Sequence, residues 1–453
     1  MNRYLILLTS GLALLATLLS VRPAAAWEIA NETKLAASDG DGYEFFGEPV
    51  ALSGSTAIVG VPRDDDNGPS SGSAYVYVRD GLSWSEEAKL LPDDGAEGDQ
   101  FGEAVAIFGD TVLVGAPYAD APKSASGAAY VFTRRDGVWT QQAKLVPSDS
   151  FFGDFFGNAV SLSGDTALIG ALGDDPHATQ TGSAYVFVRS GEEWIEQDKL
   201  IPSDWQEILW FGWSVSVWGD YALVGVPFDG AAGEAAGSAY VFVRDGDAWS
   251  QQAKLLPSAP AAYDLFGHSV SLSADTALVG APTDRVDFGA GRGSSYVFAR
   301  TADEWTEQVR LQPPTTDVQD QFGWSVSLFG DRALVGSPYD DENGKFSGSA
   351  YLYERIDGVW IESAKVLARD GARADAFGSA VSIYGSSLLV GAPLDDEVGI
   401  NSGSAWVYED DALGLTVVGT CPGPVTVKIG QAPPSCGVAG PAAANDGGSA
   451  KRG

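Results

Sequence analysis

Short stretches of alternating apolar and polar residues, separated by glycine-containing turns, run along most of the chain. In one well-defined region they predict four successive β-strands, at 102–108, 111–116, 128–133 and 139–145. Gly109 and Asp110 form a two-residue connection between the first two strands, as expected for a hairpin turn. The pattern therefore predicts a four-stranded antiparallel sheet within about 55 residues.

This unit recurs seven times. Each copy begins with a Phe-Gly pair, and the pairs are 55 residues apart, once 56, at Phe46, Phe101, Phe156, Phe211, Phe266, Phe322 and Phe377. Fourteen residues after each phenylalanine comes a glycine, followed in six copies by a residue and then proline. Seven repeats of four antiparallel strands predict an all-β, seven-bladed β-propeller.

The two ends of the repeat region predict how the ring closes. The seventh unit lacks a fourth strand after Tyr408, whereas residues 27–35 resemble a fourth strand that precedes the first unit. Trp27 would take the place of Trp84, over a slightly longer interval. We therefore expect strand 27–35 to complete the last blade of a propeller spanning 27–410, since closure removes exposed sheet edges.

Position within the blade predicts two kinds of packing. The first strand should be innermost, because it carries Ala and Ser on one face, where the blades converge. The fourth strand should be outermost, with a tryptophan that packs between blades, at Trp84, Trp139, Trp194, Trp249, Trp305 and Trp360.

The net charge and the N-terminal residues limit which partners and which cellular location we expect. With 61 acidic and 27 basic residues, the chain has a net charge of −34, which disfavours nucleic acid and anionic membranes as partners. It favours cations, basic partners or solubility alone. Residues 1–26 read as a signal peptide, with Arg3 before an apolar core and cleavage near Ala26, so we expect a secreted protein that is extracellular, periplasmic or at the cell surface. We also expect the propeller to be monomeric.

The combination of Phe-Gly and Gly-Ala-Pro resembles the FG-GAP repeat of the integrin α-subunit N-terminal propeller and its bacterial relatives, over 27–410. The resemblance implies an extracellular interaction propeller, commonly linked to adhesion or ligand binding. Integrin-type repeats place Asp-rich calcium loops between the first and second strands of several blades. Here two-residue turns such as Gly109–Asp110 supply too few oxygens for calcium, so we expect those sites to be absent and no cofactor to be required.

Acidic residues concentrate at one end of the predicted barrel. The loops between second and third strands and those between blades lie at the same end, and together they contain about half of the acids. We expect this end to bind the partner. The densest clusters are weak candidates for a cation site, against the alternative of solvated turn residues, at Asp64, Asp66, Asp340, Asp341, Asp395 and Asp396.

One position varies within the otherwise regular repeat. The residue after each Phe-Gly pair is Glu48, Glu103, Asn158, Trp213, His268, Trp324 or Ser379. These residues should ring the mouth of the central channel, and tryptophan beside carboxylates could stack a sugar or hold a cation. Plugging of the mouth is the alternative.

The fourth blade has an unusually apolar entry loop, with Trp205 and Trp210 among its residues. Such aromatic residues indicate a contact surface, or else local packing against the neighbouring blade.

The favoured function is an adhesion or interaction module, and a carbohydrate-binding propeller is the alternative. An enzyme that uses Glu48 and Glu103 is less favoured, since the two histidines lie in different units and no nucleophile motif is present. The Pro/Gly/Ala-rich tail at 411–453 contains a possible small hairpin and one possible disulfide, between Cys421 and Cys436.

Overall fold

The computed structural model describes residues 29–410, apart from Pro122 and the segments 206–208, 286–290 and 314–318. The predictions for the signal peptide, Trp27, the tail and its two cysteines lie outside the described residues. Within them, 28 strands form seven four-stranded antiparallel sheets. No helix in the described part of the chain is long and apolar enough to cross a membrane.

Each sheet is one blade, and in six of the seven sheets the strands follow chain order from the inside outward, while in the last blade the outermost strand is the first of the chain. The first strands are β2 (Val50–Ser53), β6 (Ala104–Phe108), β10 (Phe156–Ser163), β14 (Ser214–Trp218), β18 (Ser269–Ser273), β22 (Val326–Phe329) and β26 (Ala380–Tyr384). The second strands are β3 (Thr56–Val61), β7 (Thr111–Ala116), β11 (Thr166–Ala171), β15 (Tyr221–Val226), β19 (Thr276–Ala281), β23 (Arg332–Ser337) and β27 (Ser387–Ala392).

The third strands are β4 (Ser73–Asp80), β8 (Ala128–Arg135), β12 (Ser183–Ser190), β16 (Ser238–Asp245), β20 (Ser294–Thr301), β24 (Ser349–Ile356) and β28 (Ser404–Asp410). The fourth strands are β5 (Ser83–Leu90), β9 (Val138–Leu145), β13 (Glu193–Leu200), β17 (Ala248–Leu255), β21 (Glu304–Leu311), β25 (Val359–Val366) and, in the last blade, β1 (Ile29–Leu35). The predicted seven-bladed fold is confirmed.

The core lies between adjacent blades. The second strand of most blades is buried at every residue, because side chains on both of its faces meet a neighbouring sheet. The phenylalanine of the Phe-Gly pair is also buried, and the rings of Phe101 and Tyr130 lie 5.5 Å apart, nearly perpendicular. The repeated aromatic residues therefore build the scaffold.

The first strands are innermost and pack side by side around the ring. Their small residues bond across blades: the backbone N–H of Val217 donates to Ser161 Oγ, and that of Leu52 donates to Ser382 Oγ, both at 3.0 Å. The second of these bonds joins the first blade to the last. Serine on these strands thus provides small size and a hydrogen bond between blades.

The glycine of the Phe-Gly pair and the glycine fourteen residues after each phenylalanine are required by the same close approach between neighbouring blades. A Cβ on Gly115 would lie 1.9 Å from the carbonyl oxygen of Gly157, in the Phe-Gly pair of the next blade. The same contact at the closure joins Gly391 to Gly47, again at 1.9 Å. No side chain fits there, because neighbouring blades approach each other backbone to backbone.

The N-terminal strand completes the last blade, as predicted, through antiparallel pairing of β1 with β28. The predicted register is wrong at its start. Ile29 pairs with Asp410 at the position where Trp84 pairs with Arg79 in the first blade. Trp27 is therefore not the counterpart of Trp84, because the two extra residues precede the matched strand.

The tryptophans of the fourth strands link blades, as predicted. Trp139 Nε1 donates to Glu87 Oε2 of the preceding blade at 2.8 Å. Three more follow the same pattern with glutamine acceptors, at Trp194, Trp249 and Trp305. Among the described residues, Trp84 lacks such an acceptor, and it follows the blade that β1 completes.

Candidate functional site

We call the end formed by the loops between second and third strands and those between blades the loop face. A bridge joins these two loop sets at every blade boundary, pairing the phenylalanine of one Phe-Gly pair with a glycine of the preceding blade. Phe46 and Gly403 form the bridge that closes the ring. The acidic loops therefore stand on one continuous surface, as the sequence predicted.

A lysine or arginine near the end of each fourth strand organises the acids of this face. In the fourth blade, Lys254 Nζ lies 2.6 Å from Asp204 and 2.7 Å from Asp229, and 5.0 Å from the ring centroid of Tyr240. The Tyr240 hydroxyl donates to Asp204 at 2.7 Å. We call this arrangement of cation, ring and carboxylate a cation cluster.

A cation cluster is present in all seven blades. The cations and their rings are Lys34 over Trp406, Lys89 over Tyr75, Lys144 over Tyr130, Lys199 over Tyr185, Lys254 over Tyr240, Arg310 over Tyr296 and Lys365 over Tyr351. The second blade departs in one respect, because Ala119 stands where most blades have a buried aspartate. Sequence reasoning missed these clusters.

Cation clusters occupy most of the carboxylates proposed for a metal. Asp64 and Asp66 contact Lys89, Asp340 contacts Lys365, and Asp395 contacts Lys34, all within 2.8 Å. The remaining two candidates brace their own loops: Asp341 accepts from the N–H of Phe346, and Asp396 from that of Asn401. Within the described ranges, no group of three or more acidic or histidine residues could hold a metal ion.

The opposite end carries a second set of ion pairs. In the first-to-second turn of the second blade, Asp110 accepts from Arg134 Nε at 2.7 Å. Asp165, Asp220, Asp275 and Asp331 pair with arginines in the same way. Each aspartate at the turn where the resemblance would place calcium thus bonds an arginine.

Four of the residues that follow the Phe-Gly pairs, in successive blades, contact one another in a row at the channel mouth. Asn158 Nδ2 donates to the carbonyl of Trp213 at 3.3 Å, and the ring centroids of Trp213 and His268 lie 5.7 Å apart. His268 lies 4.5 Å from Trp324. All remain at least partly exposed, as expected for residues that line a mouth.

His268 is a neutral member of this row. Burial lowers the pKa of His268 to about 4, although its hydrogen bond to the Trp324 carbonyl opposes the shift. At neutral pH, Nδ1–H donates to that carbonyl at 3.0 Å. His268 and Trp324 pack against each other, which is what the plugging alternative predicted for this part of the mouth.

Two further variable positions contribute to the mouth, and the sequence comparison did not recognise either as a repeat position, although it singled out Trp210 at one of them. The residue before each phenylalanine has a positive φ, between 52° and 61°, in all seven blades. Residues after Gly-x-Pro contact two of these positions: the ring centroid of Tyr118 lies 5.4 Å from that of Phe155, which precedes the next unit, and the ring centroid of Phe228 lies 4.7 Å from that of Trp210, which precedes its own unit. The repeat comparison that singled out Glu103 could have found these positions too, since they also vary between copies.

A cavity of about 480 Å³ opens among these residues, between the second and fourth blades. We call it the mouth cavity; its lining is Glu103, Pro117, Tyr118, Phe155, Asn158, Leu172, Gln180, Trp210 and Trp213. Four predicted ligand-binding residues are among them, namely Glu103, Asn158, Trp210 and Trp213. The size falls in the range of small-ligand sites.

The charged residues lie on one side of the mouth. Burial and the carboxylate of Glu48 raise the pKa of Glu103 to about 7, against the opposing effect of Arg63. The side chain of Glu48 is exposed to solvent on one side. Desolvation by the surrounding protein nevertheless raises the pKa of Glu48, and the positive charge of Arg63 opposes this shift. Two neighbouring carboxylates thus share one nearby guanidinium.

The apolar entry loop of the fourth blade divides into an outer and an inner part. Trp205 is 45% exposed and its ring lies 5.1 Å from that of His177. Leu209 is buried, and Trp210 lines the mouth cavity, stacked parallel to Trp213 at 5.7 Å. Trp205 therefore lies at the surface, whereas Trp210 belongs to the cavity.

A second cavity, of about 990 Å³, lies beside the fifth and sixth blades. Its lining includes Phe228, Leu265, Gln321 and Tyr339, and also residues that flank the segments 286–290 and 314–318. The mouth cavity, by contrast, is lined wholly by described residues.

Comparison with known families agrees with the repeat. The model of the FG-GAP repeat matches seven segments, at 29–77, 84–132, 139–187, 194–242, 249–298, 305–353 and 360–408. The chain belongs to the FG-GAP repeat family. Its members commonly mediate protein interactions and are generally not enzymes. No match was found among curated proteins.

Proposed function

We propose that this FG-GAP propeller is a secreted interaction or adhesion module that binds an extracellular ligand on its loop face. The main support is a division within the repeat. Residues shared by the copies satisfy one another, as in the cation cluster of Lys254, while the variable residues surround a cavity in which the Glu103 carboxylate has no ion pair with any residue that the structure describes. Variation within a symmetric scaffold is where a specific ligand can be recognised.

Capture by matched tryptophan variants tests this proposal. The mature chain would be immobilised and exposed to surface and secreted proteins of its source, beside Trp213→Ala/Trp324→Ala and the control Trp218→Ala. Trp213 immediately precedes β14 and Trp218 is its last residue, so the two lie at opposite ends of the channel. We expect the double variant to lose the captured protein and the control to retain it; equal capture by all three would contradict a site at the mouth.

Carbohydrate binding is the second candidate, because Trp210, Trp213 and Tyr118 offer stacking faces in one cavity. A glycan array with and without calcium separates the two. Retention of a specific glycan that is lost in the double variant would favour this candidate over a protein partner.

Secretion is tested separately. If residues 1–26 are a signal peptide, the protein recovered from the medium should begin at Trp27. Mass spectrometry of the intact chain measures this directly, and recovery of the uncleaved chain inside the cell would contradict it.

A further inference from the structure

One position at the end of the channel opposite the loop face alternates between two residue types. We call this end, formed by the turns between first and second strands and those between third and fourth strands, the turn face. The last residue of the first strand is serine in three blades and aromatic in four. Around the ring the order is Ser53, Phe108, Ser163, Trp218, Ser273, Phe329 and Tyr384. Because the first strands are innermost, these residues surround the channel at the turn face.

The serines at this position bond to the scaffold. The backbone N–H of Gly109 donates to Ser53 Oγ at 3.0 Å, and that of Gly330 donates to Ser273 Oγ at the same distance. Each bond ties the turn of one blade to the innermost strand of the preceding blade. Serine therefore provides what the fold needs at this position.

The aromatic residues at the same position are not needed by the core. Phe108, Trp218 and Tyr384 are 50%, 40% and 39% exposed, so much of each ring faces water. Exposed apolar surface is unfavourable, and three such rings around one opening form a cluster rather than scattered single residues. Aromatic residues where serine suffices therefore indicate a place for a ligand.

A groove of about 300 Å³ lies between two of these rings. We call it the turn groove; its lining is Ser53, Gly54, Ser55, Thr56, Phe108, Gly109, Asp110, Arg134 and Tyr384. Phe108 belongs to the second blade and Tyr384 to the last, and the small Ser53 of the first blade leaves space between them. The volume is at the lower end of the range for small-ligand sites.

The charges in the lining of the turn groove are already paired. Asp110 is the one acid and Arg134 the one base, and Arg134 Nε donates to Asp110 Oδ1 at 2.7 Å. The guanidinium also donates to Glu87 at 2.9 Å and to the Thr56 hydroxyl at 3.2 Å. The groove thus offers no free cation to an anionic ligand, and its one carboxylate already has a cation.

The polar atoms that remain in the turn groove can exchange hydrogen bonds with a neutral ligand. Asp110 Oδ2 and the hydroxyls of Ser55 and Tyr384 have no hydrogen-bond partner among the described residues. The N–H of Gly54 corresponds to that of Gly109, but Tyr384 stands where a serine would accept from it. Donors and acceptors therefore lie between two aromatic side chains.

We infer that the turn groove binds a neutral carbohydrate, with one sugar residue against Phe108 and Tyr384. A pyranose has an apolar C–H face that packs on an aromatic ring, and its hydroxyls can bond to Asp110 Oδ2 and Ser55. An apolar side chain of a protein would cover these polar atoms without satisfying them. This site goes beyond the proposed function, because it lies at the other end of the channel from the loop face.

An array of neutral oligosaccharides tests the inference on the mature chain. It would carry oligomers of glucose, galactose, mannose and N-acetylglucosamine, and calorimetry would measure the one that is retained best. We expect Phe108→Ser/Tyr384→Ser to weaken its binding at least about tenfold. Serine occupies this position in three blades, so the variant should fold, and melting curves check this. Val138→Ser is the control, since it removes a 61% exposed apolar side chain of the turn face outside the groove and should bind like the wild type.

A pair of aspartate variants tests the polar side of the turn groove. Asp165 bonds Arg189 as Asp110 bonds Arg134, both at 2.7 Å, and the two aspartates are 64% and 66% exposed. Only Asp110 lies in the groove, since Asp165 has Ser163 in place of Phe108 beside it. We expect Asp110→Asn to weaken the sugar at least about fivefold and Asp165→Asn to change little. Equal losses would contradict a site at Asp110.

The outcomes separate this inference from the proposed function. If no oligosaccharide binds, the inference is wrong, whatever happens to capture by Trp213→Ala/Trp324→Ala. If the sugar is lost in that variant but kept in Phe108→Ser/Tyr384→Ser, it binds at the loop face and the turn groove is not its site. If the serine variant loses a captured protein and no sugar binds, the turn face recognises a protein instead. If the sugar is lost only in the serine variant and capture is unaffected by the tryptophan variant, the groove stands and the proposed function fails.

Discussion

The cation clusters and the mouth cavity are built from the same parts. Lys254 lies over Tyr240 and between two aspartates, so every charge has a partner. Glu103 lies among Trp210, Trp213 and Tyr118, where none of the described residues donates a hydrogen bond to its carboxylate and Glu48 acts on it as a like charge. The same side-chain types thus serve two purposes. The cation clusters, in which cation, ring and carboxylate are all present, hold the blades together, whereas the mouth cavity has rings and a carboxylate and leaves room for a ligand.

The largest effect should follow removal of the closing strand, which carries both ring closure and the Lys34 cluster. A chain that begins at residue 36 loses Leu35, which is 3% exposed, and leaves β28 with a free edge. We expect Tm to fall by about 10 °C or more relative to a chain that begins at Trp27. Scanning calorimetry measures this.

Lys34→Met is the matched control, since it keeps the strand and removes only the cation. Its Tm should fall less than that of the truncated chain. If the truncated chain melts like the full chain, closure by β1 does not stabilise the ring.

A smaller effect should come from breaking one cluster. Asp229 is 1% exposed and contacts both Lys254 and the Ser238 hydroxyl, so Asp229→Asn leaves the lysine with only half of its charge partners in a buried site. We expect a loss of about 3–5 kcal/mol in the free energy of unfolding. Denaturation by guanidinium chloride provides the measurement.

Asp204→Asn tests the same lysine from the solvent side. The Asp204 side chain is 48% exposed, so we expect a loss of about 1 kcal/mol or less. Equal losses in the two variants would mean that burial does not decide what the cluster contributes.

The cation clusters also predict that the protein loses stability at low pH. Burial raises the pKa of Asp204, but hydrogen bonds from Lys254 and Tyr240 outweigh this and hold it below its ordinary value. The stabilisation from Asp204 is therefore present above the unfolded-state pKa and is lost as pH falls through the lower, folded value. The difference in stability between wild type and Asp204→Asn should shrink as pH falls through that range, and a difference that grew there would contradict the sign.

The smallest effect should be that of calcium. Because the acidic loops already surround lysines, we expect calcium to raise Tm by no more than a few degrees over a chelator control. A large calcium-dependent rise in calorimetry would show that these carboxylates prefer the metal to Lys89 and its counterparts.

Repeat spacing was enough to predict the blades, because a change of one residue would misplace every side chain of a strand. The strand at 111–116 was predicted to the residue, and the Phe-Gly positions located the innermost strands. The register of the closing strand was predicted wrongly at its start, because Trp27 was matched to Trp84 by residue type. The distance to the leucine at the end of the strand was given less weight, although it points to Ile29. Only the pairing of Ile29 with Asp410, 381 residues along the chain, shows that Ile29 takes that place.

The site was predicted in part. Variation after Phe-Gly pointed to Glu103, Asn158 and Trp213, which do line one cavity. The cation clusters were missed because Lys254 lies 25 residues from Asp229 and 50 from Asp204 in the sequence. The shape of the cavity depends on how rings from three blades pack, and local patterns do not contain that information.

The most direct test of the comparison is thermal unfolding of Glu103→Gln beside Asp229→Asn. Because the folded-state pKa of Glu103 is raised, its ionised form destabilises the fold at pH 8, and the neutral side chain removes that cost. We predict that Glu103→Gln raises Tm at pH 8, with little effect at pH 4, while Asp229→Asn lowers Tm at pH 8. If both variants lower Tm at pH 8, Glu103 belongs to the scaffold, and the proposed distinction between cluster and cavity is wrong.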